Sequence, residues 1–165
     1  MAKDKVVPKL KITHKGVFDL GDLYKNIKGW LEYNGFGDEE KNFQEASYTE
    51  RIKGESKQIE SMWVAQKNVD DYFGLTIELT FAVVGLVDVE IEKEGKKIKS
   101  QKGEISITLK ADLLKNHSDD WSPFMASLYE NLVAKERKNM HKTYLYGRVY
   151  ALHDEIKEYL EMNEY

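Results

Sequence analysis

The segment LTIELTFAVVGLVDVEIEKEGKKIKSQKGEISITLKADL, residues 75–113, decides the fold. It reads as two extended runs folded back on each other at Lys93-Glu94-Gly95, a three-residue loop with glycine in the left-handed position. Paired positions then sum to 188, so Val83 faces Ile105, Phe81 faces Ile107, Leu79 faces Leu109, Ile77 faces Ala111 and Leu75 faces Leu113. The opposite face sets Glu78 against Lys110 and Thr80 against Thr108. Cross-strand apolar and opposite-charge pairs of this kind contribute roughly 0.2–1 kcal/mol each. A one-residue slip would turn every core side chain to the wrong face. Gly85 falls opposite Gly103 in this register, which marks a bend or a close backbone approach.

Beyond the glycine pair the hairpin changes character. Val87, Val89 and Ile91 now face Gln101, Lys99 and Lys97, and residues 86–102 read as a two-stranded arm. Eight residues per strand reach roughly 26 Å. Isolated two-stranded ribbons are marginal in water, so something is expected to pack on the Val87–Val89–Ile91 stripe. The run Phe81–Val87 is apolar on both faces. A half-solvated antiparallel strand alternates instead. Either a second element covers the outer face, or residues 81–91 form an interface with a second copy or another protein.

Working outward, residues 7–14 alternate, with Leu10, Ile12 and His14 on one side and lysines on the other. This predicts a half-buried strand. Asp19 caps the helix that follows, whose stripe is Leu20, Leu23, Tyr24, Ile27, Trp30 and Leu31, and Gly35 and Gly37 stop it. Another hairpin is placed with its turn at Glu55-Ser56, pairing Ile52 with Ile59, Tyr48 with Trp63, Ala46 with Ala65 and Arg51 with Glu60. Ser122-Pro123 opens a helical third. Phe124, Leu128, Leu132 and Val133 form its first stripe, and Leu145, Val149, Leu152, Ile156 and Tyr159 form a coiled-coil-like seam. The polar stretch Lys138 to Thr143 predicts a break or a turn between them, with a single long helix over 123–162 as the alternative. The expected fold class is α+β: a curved antiparallel meander of four to six strands packed against an N-terminal helix and C-terminal helices, one domain over residues 1–165.

The chain has 165 residues, 41% apolar and 33% charged, with no Cys and a net charge of −4. This composition excludes a disordered chain, a disulfide framework and a thiolate metal site. There is no 18-residue apolar run and no signal-peptide apolar region, so a soluble cytoplasmic protein without membrane contact is expected. Basic residues are 22 Lys and 3 Arg, a poor match to base-reading nucleic-acid specialists, which favour the bidentate arginine fork.

Candidate chemistry is sparse. His14, His117, His141 and His153 lack ligand spacing, and the acidic pairs Asp38-Glu39-Glu40, Asp70-Asp71 and Asp119-Asp120 fit solvated turns and helix starts. There is no G-x-S-x-G elbow and no phosphate loop. No catalytic residue, metal or cofactor is therefore expected. Two basic stretches stand out: Lys93, Lys96, Lys97, Lys99 and Lys102 at the arm, and Lys135, Arg137, Lys138, Lys142 and Arg148 interleaved with Tyr144, Tyr146 and Tyr150. Basic residues with aromatics can hold a nucleic-acid backbone and stack bases, which points to RNA or the ribosome. The acidic tail (Asp154, Glu155, Glu158, Glu161, Glu164) weighs against a uniformly basic surface. Tyr48 and Trp63, with Phe81 and Ile107, are candidates to line a ligand cavity on the concave sheet face.

The order strand, helix, meander, C-terminal helix resembles the START-like helix-grip fold, in which a curved sheet wraps a long helix. The resemblance is one of topology, carried by no motif, and it implies an apolar ligand held between sheet and helix. Taken together, the expectation is a non-catalytic binding domain engaging an apolar small molecule or a protein through sheet face, arm or C-terminal helices. The alternatives are an RNA- or ribosome-associated factor and a cyclase or hydrolase working in such a cavity.

Overall fold

A computed structural model describes residues 2–162; Met1 and residues 163–165, including Glu164 of the acidic tail, lie outside the description. In chain order the elements are β1 (Ala2–Phe18), α1 (Leu20–Tyr33), β2 (Phe43–Lys53), β3 (Ser56–Asn68), β4 (Phe73–Lys93), β5 (Lys96–Lys115), α2 (Pro123–Leu132) and α3 (Lys135–Met162), with a 3-10 turn at Glu40–Asn42. The five strands make one open antiparallel sheet in the order β1-β5-β4-β3-β2. The class is α+β, a meander from β2 to β5 with β1 returning beside β5.

The body of the β4–β5 hairpin holds the predicted register from Phe73 opposite Lys115 to Val84 opposite Glu104. The arm does not. Its turn has two residues, Glu94 (φ 52°) and Gly95 (φ 77°), so Ile91 meets Ile98, Val89 meets Ser100 and Val87 meets Lys102. Two left-handed residues in a row give a turn whose twist matches that of the strands. The residue so displaced is absorbed at Gly85–Leu86, which together oppose Gly103. Gly85 has φ +64°, as the first position of a glycine-type β-bulge requires. A Cβ on Gly103 would stand 3.1 Å from Leu86 Cα and 3.2 Å from the Val84 carbonyl oxygen. The bulge also turns Leu86 to the inner face, where it is buried. This resolves half of the two-sided apolar run; Ala82 and Val84 stay on the outer face, with Val84 54% exposed.

The β2–β3 hairpin corrects the sequence register by two residues. It turns at Gly54-Glu55, with Gly54 at φ 61°, and pairs Lys53 with Ser56 and Tyr48 with Ser61. A slip of two leaves each side chain on its own face, so alternation cannot distinguish the two registers. A bulge at Ala46 then brings Phe43 opposite Ala65 and Glu45 opposite Trp63.

The core lies between the inner sheet face and two helices. Asp19 caps α1 by accepting from the Asp22 amide at 3.1 Å. Gly35 (φ 82°) ends it, with the Gly35 amide returning to the Glu32 carbonyl at 3.0 Å and the Phe36 amide to the Leu31 carbonyl at 2.7 Å. That is a Schellman closure, and Phe36 and Leu31 are both buried. Helix α3 lays Leu145, Val149, Leu152, Ile156 and Leu160 on the sheet, all buried; Tyr159 of the predicted seam is half-buried. The helical break falls earlier than predicted, at Val133-Ala134, and α3 runs unbroken through the polar stretch 138–143. Both the Val133 and Ala134 amides donate to the Tyr129 carbonyl, and fully buried Ala134 starts α3 by accepting from the Lys138 amide.

Helix α2 corrects the sequence reading most. Ser122 caps it as predicted, accepting from the Met125 amide at 3.2 Å. Its predicted buried stripe faces solvent instead: Phe124 is 71% and Leu132 76% exposed, and Met125, Leu128 and Val133 are exposed too. Ala126 and Tyr129 pack inward in their place.

Candidate functional site

The four residues predicted to line a ligand cavity divide. Trp63, Phe81 and Ile107 are buried on the inner face. Trp63 and Phe81 meet edge-on at 4.7 Å, and Tyr24 of α1 packs on both, at 5.2 and 5.0 Å. Phe43 adds a fourth ring, 5.5 Å from Trp63. These rings pack together on the inner face, while β1 and α3 border a cavity of about 250 Å³ lined by Ile12, His14, His153 and Leu160 among others. Tyr48 stands apart, opposite Ser61 on β2, whose side chains are exposed from Gln44 onward. Burial pushes the Tyr24 hydroxyl's pKa up, and that hydroxyl faces Ser61. Between α1 and α3 a hollow of about 10 Å³ remains, no more than one water needs.

The two basic stretches sit at opposite ends of β5. On the arm, Lys97 and Lys99 lie opposite Glu92 and Glu90, while Lys96 and Lys102 lie opposite Lys93 and Val87. On α3, Lys138 and Lys142 both bind Asp4 Oδ2, at 3.2 and 3.1 Å. Arg137 donates to the Tyr129 hydroxyl at 3.3 Å. Arg148 donates to Asn34 Oδ1 at 3.2 Å and stands 5.7 Å over the Tyr144 ring. Half of the predicted nucleic-acid residues thus serve the fold, and the structure does not gather the two stretches into one surface.

The acceptor that collects these lysines, Asp4, escaped sequence reading. It bridges Lys115 at 3.2 Å as well as Lys138 and Lys142. Burial works to raise its pKa, but hydrogen bonds from the three lysines outweigh burial and hold it at about 2. Lys115 also binds Glu130 of α2 at 3.2 Å. Glu130 in turn accepts from the Tyr72 hydroxyl at 2.6 Å. Burial first, then this bond, drives the Tyr72 pKa well upward. Burial disfavours the charged Lys115, yet its two carboxylate partners raise its pKa on balance. One signal was available: Asp4 is the single acid among the lysines of the first 18 residues.

Each histidine lies against other residues of the fold. His117 Nε2 meets the Asp70 carbonyl at 2.6 Å, and His141 Nε2 lies 3.9 Å from the Asp70 carboxylate. His153 Nδ1 meets Asp154 at 3.1 Å, and His14 packs edge-on against Phe18. Among the described residues no cluster of His, Asp and Glu can hold a metal ion, and no helix is long and apolar enough to cross a membrane.

The remaining feature is α2 itself. At 100° per residue, Phe124, Leu128, Leu132 and Met125 fall within an arc of about 100°. Its one charged residue, Glu130, points away into the Lys115–Tyr72 network. No known protein-family model matches this chain, and no curated protein matches it.

Proposed function

We propose that the chain is a non-catalytic interaction module that docks a different protein, not a second copy of itself, on the outward face of α2. The observation that carries this reading is an apolar arc, Phe124, Met125, Leu128 and Leu132, left exposed on a helix with no outward charge. Solvated helix faces ordinarily carry charge, and a helix apolar on all sides is ordinarily covered on all sides. With side chains of about 150–200 Å² and the exposures above, the arc and Val133 offer roughly 500 Å² of apolar surface. Gross burial at ~25 cal/mol/Å² is about 12 kcal/mol, comparable with the ~4–15 kcal/mol cost of association. A standard interface takes ~800 Å² from each partner, so the arc supplies its apolar centre and a polar rim the remainder. A partner presenting an apolar groove or helix face fits this surface.

The test replaces Leu132, and separately Lys110 on the open sheet face, with a photo-crosslinking residue in cells of the native source. The expected result is a product of defined mass from position 132 that is absent from position 110 and lost when Phe124→Glu is added. Light scattering of the purified chain identifies a second copy as occupant if a dimer forms and Phe124→Glu dissolves it. That result, or equal crosslinking from both positions, overturns the proposal.

A further inference from the structure

Helix α2 has a second functional side. Turning from the apolar arc, Ser127, Glu130 and Asn131 border a groove of about 550 Å³ between α2, the end of β5 and the start of α3. Lys115, Lys135 and Lys138 complete it. We propose that this groove binds the dianionic phosphate group of a small phosphorylated ligand or free phosphate.

The charge balance supports this. Three ammonium groups, Lys115, Lys135 and Lys138, border the groove with the carboxylate of Glu130, and Asp4 and Lys142 extend the ion-pair network beyond it. Both carboxylates are already engaged: Asp4 by three lysines, Glu130 by Lys115 on one oxygen and the Tyr72 hydroxyl on the other. The one acid bordering the groove is thus engaged by Lys115 and the Tyr72 hydroxyl, while among the described residues no carboxylate lies within ion-pair distance of Lys135. Glu136, the neighbouring acid, lies about 100° further round the helix and does not border the groove.

Uncharged donors sit beside the lysines. The Asn131 amide donates to the Ser127 hydroxyl at 3.2 Å, which leaves the Ser127 O–H to donate outward. Lysine suits this site as a compact point charge for phosphate, without the bidentate geometry of arginine. The Asp4–Lys115–Glu130 lattice fixes Lys115 and Lys138 before a ligand arrives, which lowers the ordering cost of binding. The groove is far larger than one phosphate, so a phosphomonoester with a small polar body fits it.

This proposal does not rest on α2 docking: it uses Ser127, Glu130 and Asn131 on the flank of the helix beside the apolar arc, and none of the arc's side chains. The experiment titrates ¹⁵N-labelled full-length chain with inorganic phosphate, pyrophosphate and glycerol 3-phosphate at constant ionic strength near 0.15 M. Expected are saturable shifts at the Ser127, Asn131 and Lys135 amides. Glycerol 3-phosphate binding more tightly than phosphate indicates a phosphorylated metabolite; equal affinity indicates free phosphate. Lys135→Gln should weaken binding about tenfold, the effect of losing one charge-assisted hydrogen bond. Its melting temperature should not change, because Lys135 is exposed and makes no hydrogen bond or ion pair with its side chain among the described residues. Ser127→Ala, an exposed change that also preserves folding, should weaken binding severalfold. Shifts that do not saturate, that spread equally to the arm lysines, or that survive Lys135→Gln undiminished overturn the site.

Discussion

Gly103→Ala should destabilise the protein without touching any apolar contact. The new Cβ would stand 3.1 Å from Leu86 Cα, 3.2 Å from the Val84 carbonyl oxygen and 3.3 Å from the Leu86 amide nitrogen. All three are backbone atoms of the bulge strand, so no side-chain rotation relieves the contact. The bulge must open or β5 must shift, and the bulge is what carries Leu86 into the core. Overpacking of this kind costs ~1–3 kcal/mol. At ~2–4 °C per kcal/mol for a chain of this size, the melting temperature should fall by roughly 3–10 °C. Urea unfolding should show a lower midpoint with an unchanged slope. Gly85→Ala separates the mechanisms: nothing lies within 4 Å of its Cβ, so it loses only the ~1–2 kcal/mol of a left-handed backbone at φ +64°. Gly103→Ala melting within 1 °C of the parent would refute the close approach.

Gly147→Ala, on the exposed side of α3 with open space around its Cβ, should stabilise by about 0.8–1 kcal/mol and raise the melting temperature by ~2–4 °C in calorimetry. Asp4 titrates at about 2 in the folded chain against 3.8 for its ordinary value. Its contribution is therefore complete above pH 4 and lost as pH falls toward 2. Asp4→Asn should remove about 1 kcal/mol of that acid-dependent stability after allowance for solvent screening, read as a flatter chemical-denaturation midpoint between pH 5 and 2. Charge reversal of Lys96, Lys97 and Lys99 on the arm should lower the melting temperature by no more than ~8 °C, since the two exposed pairs with Glu92 and Glu90 contribute ~0–1 kcal/mol each at ~2–4 °C per kcal/mol.

The legible parts of the fold were those where two faces constrained one register. The β4–β5 body was readable because a slip by one residue would expose Phe81 and Ile107 together, and a slip by two would spoil the Glu78–Lys110 pair. The β2–β3 register was not, because β2 buries nothing beyond Phe43 and a slip of two costs no burial. Gly54 was the missed cue, since its left-handed backbone fixes the turn one residue earlier. At the arm, Glu94 adopting φ 52° shortened a loop that Gly95 alone suggested was longer. Caps were legible at Asp19 and Ser122 because they act on backbone amides three residues away. The Asp4 lattice was illegible because it joins β1, β5, α2 and α3 over more than a hundred residues of sequence.

Periodicity misled at α2 for a physical reason that bears on its role. The helix has two apolar sides, and sequence spacing alone favoured the side with the larger aliphatic residues. Facing the other way buries Tyr129 against Tyr72 and Trp121, with ring centroids 5.0 and 4.9 Å apart, and completes the Glu130–Lys115–Tyr72 bonds. Aromatic pairs contribute ~0.5–1.5 kcal/mol beyond their area. Hydrogen bonds to a charged group contribute ~1.5–3 kcal/mol. Turning the helix over would bury Phe124 and Leu132 but leave partly exposed Lys115 with one carboxylate fewer and take the acceptor from the Tyr72 hydroxyl, each worth ~1.5–3 kcal/mol. The polar lattice therefore decides the orientation, and the aliphatic side is left outward. A variant that removes the lattice, Glu130→Gln with Lys115→Met, should let α2 lose that preference. Protection of Phe124 from hydroxyl-radical labelling should then rise; unchanged labelling would show that the aromatic cluster alone sets the helix.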